Sequence, residues 1–415
     1  MMRLAFLLSL FIFVSFYLPS QPTEGVIREN YEVRLDNKNL FNAPLHELAR
    51  FQERIFSQRT EDHRVRVAIE KTDEAYYILF LNEEHKGFPI YSSGSWVVKR
   101  DNRTGAVVQA KIFFRSDAGC FIRLFPQGER TRMEVYLYDT FLYKSVPLGT
   151  SLSILLTEPL KEIVRLTSVY VNWSTLLKIV PSQLYSSSIA MVQRIRQALP
   201  YLPDAEDGAM DKEGKLVHIS SLRAQESLPG FNCSGFAKWV ADGIYYPRQG
   251  EYLDIEALRE KHLSKRGSRI TERFEQERDP FFGLDWTRNI ARILAGGKDP
   301  ESRDVRQVPH WKYREDIGFP VQELESLLFY LAIIEPGTFY LGSVNREFGS
   351  TPVLRQHIHV VVLFPFFTGK NEFKVVVFER NVETDLSSLK RRYRDDFIHL
   401  VRVEADSNFQ PPRIE

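Results

Sequence analysis

Cys233 lies in the segment Leu228-Pro229-Gly230-Phe231-Asn232-Cys233-Ser234-Gly235-Phe236-Ala237-Lys238-Trp239-Val240. Pro229-Gly230 signals a turn, Asn232 is a favoured N-cap type, and Phe236, Trp239, Val240 and Ile244 recur at helical spacing. The pattern places Cys233 in the first turn of a helix. At that end the backbone N–H groups lack partners and the helix dipole favours negative charge. A thiolate forms there more readily, and the same N–H groups suit the oxyanion of an acyl-transfer intermediate. Gly235 admits close approach of another chain segment or of a substrate. Two other readings stand beside the nucleophile. One is a buried core thiol; the other is a disulfide with Cys120, the second of the two cysteines.

A thiol nucleophile needs a base, usually an imidazole oriented by a third polar group. Of the nine histidines, His357 and His359 open the apolar run Gln356 to Phe364. Their spacing of two directs both side chains to one face of a strand. Phe373 to Glu379 forms the next strand, and Pro365 and Thr368-Gly369-Lys370-Asn371 carry the turn between them. A hairpin centred on Gly369 sets His359 opposite Glu379, a carboxylate that would fix its tautomer and raise its basicity. A register different by a residue or two favours Asn381 instead. Zinc is a further reading, with His357, His359 and Cys233 or Glu379 as ligands, although no other ligand cluster supports it. The expectation is a site with no metal and no cofactor.

These residues need two kinds of scaffold. From about Arg64 to Leu156 the apolar pattern has a period of two, and Asn102 to Gly105, Asp117 to Gly119 and Pro126 to Gly128 interrupt it. This predicts an antiparallel β-rich domain over 26–157, a sandwich or open barrel. A helix is expected at about 44–57, with Leu45, Leu48, Phe51 and Ile55 on one side. After about 157, Tyr185, Ile189, Val192, Ile195 and Leu199 mark a helix that Pro200 stops. Residues 253–264, 282–295 and 320–334 read as further helices, and strands return at Thr338 to Leu341, Ile358 to Phe364, Phe373 to Phe378 and Phe397 to Val403. Helices followed by a strand cluster describe an α+β domain over 158–415. The run Lys390-Arg391-Arg392-Tyr393-Arg394, followed by Asp395-Asp396, reads as a solvated face.

The N-terminus carries an address. Arg3 precedes an apolar run from Leu4 to Leu18 that Pro19-Ser20-Gln21-Pro22 breaks. A bilayer crossing needs about 20 apolar residues. A shorter run behind a basic start reads as a secretory signal over 1–25, with an uncleaved N-terminal anchor as the competing reading; the mature protein is expected to be exported, periplasmic or extracellular, with no membrane span after cleavage. Lys+Arg is 55 against 54 for Asp+Glu. That balance gives no net field to draw the whole protein to nucleic acid.

The order of these features resembles the NlpC-type cell-wall cysteine peptidases, a papain-like group. The resemblance rests on Asn232-Cys233-Ser234-Gly235-Phe236, on Pro336-Gly337-Thr338-Phe339-Tyr340, and on His359-Val360-Val361-Val362-Leu363-Phe364. It covers about 183–405. It implies a papain-like fold with a large insertion at about 245–335, either a lid or a docking surface. It also implies that Cys233 attacks, that His359 rather than His357 is the base, and that Glu379 is the third member by strand position. Tyr201 would take the oxyanion role of the family's tyrosine, although the family's Gly-Gly pair is missing here. The implied activity is hydrolysis of amide bonds in peptidoglycan stem peptides through an acyl-enzyme. Two alternatives accompany it: an inactive hydrolase-fold binding protein, and an acyltransferase or lipid amidase suggested by Phe364-Pro365-Phe366-Phe367.

Overall fold

The structure is a computed structural model that describes residues 27–262, 279–350 and 353–414. The expected export signal at 1–25 lies outside the described residues. Among the described residues, no helix is long and apolar enough to cross a membrane.

Eight strands form the first sheet: β1 (Arg54–Phe56), β2 (Val65–Lys71), β3 (Ala75–Asn82), β4 (Trp96–Asp101), β5 (Val107–Phe113), β6 (Phe121–Gln127), β7 (Arg130–Leu137) and β8 (Thr140–Leu148). Each pairs antiparallel with the next, in chain order. The alternation read from the sequence is the reason: on β7, Thr131, Met133, Val135 and Leu137 are buried while the residues between them face outward. Each fully buried Val, Leu or Met side chain contributes about 1.5–3 kcal/mol.

The helix expected at 44–57 does not form. One helical turn, Leu45–Leu48, follows Pro44, and Arg54–Phe56 instead becomes the edge strand, paired with Val65 to Val67. Pairing an open sheet edge satisfies more backbone groups than extending an isolated short helix would.

The packing carries this unit past residue 157. The helices Leu160–Thr167 and Trp173–Leu176 lie on the sheet, with Trp173 edge-on to Phe114 at 6.4 Å. The core is continuous from this sheet into the C-terminal half. Tyr138 and Asp139, both with positive φ, make the two-residue β7–β8 connection. That turn seats the Tyr138 ring against Phe329 and Phe373, with centroids 5.7 and 5.6 Å away. Arg115 lies over Phe329 at 4.7 Å and donates to the Asn371 carbonyl.

The second sheet has six strands: β9 (Phe319–Pro320), β10 (Thr338–Phe348), β11 (Leu354–Phe367), β12 (Phe373–Glu379), β13 (Val382–Thr384) and β14 (Phe397–Glu404). Their order is β9-β14-β10-β11-β12-β13, antiparallel throughout. Among the described residues, the longer helices beside it are α1 (Ser186–Ala198), α2 (Cys233–Gln249), α3 (Phe282–Leu294), α4 (Leu324–Ile334) and α5 (Leu386–Arg392). Of the helix expected at 253–264, only Ile255–Leu258 is helical among the described residues. The molecule is therefore a mixed helix-and-sheet protein that begins with an antiparallel eight-stranded sheet.

Within the 245–335 stretch, α3 is a buttress. Gly283 to Ala291 are all buried, and Trp286 donates through Nε1 to the Ser234 carbonyl at 2.9 Å. The helix packs between α2 and the sheet. Phe364, Phe366 and Phe367 are core residues, 0%, 7% and 0% exposed, and Phe366 borders a cavity beside Ile189 and Val192 of α1.

Candidate active site

Cys233 is the first residue of α2. Asn232 caps the helix, its Oδ1 accepting from the Gly235 N–H at 2.8 Å. Phe236, Trp239, Val240 and Ile244 form the buried stripe, and Gly250 ends the helix in the left-handed region. Gly235 is required by a close approach: a Cβ there would stand 1.8 Å from the Gly208 carbonyl oxygen. The loop through Gly208 also accepts from the Asn232 N–H at 3.1 Å, so the start of the helix is clamped from both sides. Neither cysteine is in a disulfide. Cys120 is buried in the first sheet's core, where its sulfur accepts from the Tyr138 N–H at 3.4 Å. The crosslink reading is thereby corrected.

His357 and His359 do not share a face. Val344 pairs with His359 and Asn345 with His357, which leaves Ile358 as a bulge on β11. One extra residue reverses the alternation on either side of it. His357 turns toward α3, beside Gly283. It accepts at Nδ1 from the Ser343 hydroxyl at 2.8 Å and donates from Nε2 to the Asp316 carbonyl at 3.1 Å. Burial pushes it well below the ordinary histidine value, so it stays neutral. The set of His357, His359 and Cys233 or Glu379 considered for zinc is therefore not assembled. The described residues that gather within metal-ligand distances of one another are Glu301, Glu315 and Asp316, a set that includes none of the residues considered for zinc.

The hairpin register also differs from expectation. The ladder runs from Phe367 opposite Phe373 to Val362 opposite Phe378, so the turn centres on Lys370 rather than Gly369. Extended further, that register would bring Asn381 to His359. The ladder ends first: Arg380 has φ 55°, and Asn381 donates to the Leu202 carbonyl at 2.6 Å. Glu379, the last residue of β12, reaches His359 diagonally, and His359 Nε2 donates to Glu379 Oε2 at 2.7 Å.

Cys233, His359 and Glu379 thus meet at one place. With Nε2 held by the carboxylate, Nδ1 is the ring nitrogen left to face the Cys233 sulfur. Burial opposes ionisation of the thiol, but the hydrogen bond and charge of His359, the Val360 N–H and the Ser234 hydroxyl bring it below the ordinary thiol value. Burial likewise opposes the imidazolium, and its bonds to Cys233 and Glu379 raise His359 to about 9. Glu379 is buried yet held down to about 2 by His359, Arg392 and Thr384. His359 therefore favours the thiolate form of Cys233, Cys233 favours the imidazolium form of His359, and the Glu379 carboxylate stands behind the ring.

Tyr201 is 81% exposed, on the turn Leu199–Tyr201 that follows α1. The pattern reading missed Arg392 and Tyr393. Arg392 donates through Nη2 to Glu379 Oε1, and the Tyr393 ring stacks on His359 with centroids 5.8 Å apart. The signal was present in Asp385 and the apolar pair Leu386 and Leu389, which set a capped helix ending at Arg392.

Residues 23–175 match a family model described as a domain of unknown function, DUF8515. The match covers the eight-stranded sheet and the helices packed on it, and stops short of Cys233. No curated protein and no solved structure matches the chain.

Proposed function

We propose that the protein is an exported cysteine hydrolase that cleaves amide bonds, with peptidoglycan stem peptides as substrate. The observation that carries this reading is the Cys233–His359–Glu379 arrangement at the first turn of α2. A helix with a thiol at its start, packed on an antiparallel sheet whose strand supplies the imidazole, also agrees with the resemblance to NlpC-type peptidases and with a papain-like C-terminal half. The choice of stem peptides over other amides rests on that resemblance alone.

The Cys233 thiolate attacks the carbonyl carbon, and the carbonyl π electrons move to oxygen. The free N–H groups at the start of α2 are the available donors for that oxyanion. The imidazolium of His359 gives its proton to the leaving nitrogen, the C–N bond breaks, and a thioester remains. Water then attacks the thioester, His359 takes its proton, and the thiolate departs with the S–C bond electrons. Glu379 keeps His359 in the tautomer that presents Nδ1 to sulfur.

Purified protein is incubated with stem peptides and, in parallel, with short acyl esters. Cleavage of the peptides that disappears in Cys233→Ala, with unchanged circular dichroism, supports the reading. Turnover that survives in Cys233→Ala contradicts it. Hydrolysis of esters but not of peptides moves the substrate to lipid-like acyl groups.

A further inference from the structure

The basic run that reads as a solvated face contains two residues that do not behave as one. Asp385 caps α5, accepting from the Ser388 N–H at 2.7 Å, and Leu386 and Leu389 are buried. This seating brings Arg392 and Tyr393 behind the imidazole and its carboxylate. Glu379 Oε1 accepts from Arg392 Nη2 and from the Thr384 hydroxyl, the latter at 2.6 Å. Both donors lie on one oxygen, so Oε2 is left for His359. The Tyr393 ring lies on the imidazole at an interplanar angle of 26°. Arg346, itself paired with Asp396 at 2.6 Å, and Arg392 flank that ring, 5.8 and 5.5 Å from its centroid.

We propose that Arg392 and Tyr393 are positioning residues: Arg392 fixes the rotamer and shares the charge of Glu379, and Tyr393 fixes the plane of His359. The proposal rests on the reading of Cys233 and His359 as a working pair. The imidazole is then bounded on three sides, by sulfur from α2, carboxylate from β12 and an aromatic face following α5. The charged or titratable groups facing it are Cys233, Glu379, Arg392 and Tyr393, with the Arg346–Asp396 pair beyond the Tyr393 ring.

The physical consequence has a sign. With Arg392 present, the Glu379 charge is divided between the guanidinium and the imidazolium. Without it, the carboxylate acts on His359 alone and the imidazolium holds its proton more tightly. Arg392 is 48% exposed, so solvent and salt reduce the effect.

The test is an NMR titration of the His359 ring in the full protein, assigned by its loss in His359→Gln, together with iodoacetamide alkylation rates at Cys233. Arg392→Gln is expected to raise the His359 inflection by about half a pH unit. Tyr393→Ala is expected to slow alkylation about threefold or more, with Tyr393→Phe restoring it through the retained ring. Thermal melts of each variant separate these effects from unfolding. A His359 inflection that stays put or falls in Arg392→Gln overturns the Arg392 role, and an alkylation rate unchanged in Tyr393→Ala overturns that of Tyr393. A wild-type His359 titration that ignores Cys233→Ala instead overturns the thiol–imidazole pairing itself, so the two failures are distinct.

Discussion

His359 Nε2 lies 2.7 Å from Glu379 Oε2 although the two residues are not paired across the β11–β12 ladder. The contact arises where the ladder has ended: the Ile358 bulge turns β11 on one side, and the positive φ of Arg380 turns the chain on the other. A strand end gives a side chain freedom to reach diagonally that the middle of a ladder does not.

That contact makes stability depend on pH in two windows. A histidine raised in the folded state adds stability that is complete below its ordinary value of 6.5 and is lost as pH climbs through about 9. A carboxylate depressed to about 2 adds stability present above its ordinary value of 4.5 and lost as pH falls toward 2. In Glu379→Gln the acid window disappears and the alkaline one moves down as His359 returns toward its ordinary value. Thermal melts of wild type and variant from pH 2 to 10 are expected to differ most between about 5 and 7, to converge as pH falls toward 2, and to keep a smaller difference at pH 10, where the bonds of Arg392 and Thr384 to the carboxylate remain. A difference independent of pH contradicts the coupling. Turnover in the variant is expected to fall about 100-fold.

His357 separates structural from chemical histidines. His357→Ala removes a buried imidazole bonded to Ser343 and Asp316, and is expected to cost about 1–3 kcal/mol in denaturant unfolding. The alkylation rate of Cys233 in the folded variant is expected to stay within about threefold of wild type, because the ring lies on the other side of the bulge. A loss as large as that of His359→Ala contradicts the opposite-face assignment.

Gly235 tests the clamp at the start of α2. Gly235→Ala places a methyl 1.8 Å from the Gly208 carbonyl oxygen, and the loop must move. Unfolding free energy is expected to drop by about 2–3 kcal/mol, with slower alkylation of Cys233 in the folded fraction. Wild-type stability and reactivity would show that the loop does not press on the helix.

The local features were readable because their causes are local. Asn232, Pro229-Gly230 and the Phe236 to Ile244 stripe suffice to start a helix at Cys233. Period-two alternation sufficed for the strands from Val65 to Leu137, but not for the edge strand Arg54–Phe56, where a helix was expected. The bulge at Ile358 was not readable, because nothing in a β-branched apolar run marks which residue is extra. Glu379 was chosen through a register that the structure shifts by one residue at the turn, and it reaches His359 only because β12 stops there. Arg392 and Tyr393 were missed for a related reason: a charged run looks solvated until the helix carrying it is seated against a sheet.

The central claim is that Cys233 is a thiolate kept by His359, and the pH dependence of its alkylation tests this most directly. Native protein is treated with iodoacetamide from pH 4 to 10 and mapped by peptide mass. Cys233 is expected to react with Cys120 protected, with an inflection below the ordinary thiol value. His359→Gln should move that inflection upward and slow the neutral-pH rate at least about tenfold. A rate that climbs only through the ordinary thiol range, alike in both proteins, contradicts the account.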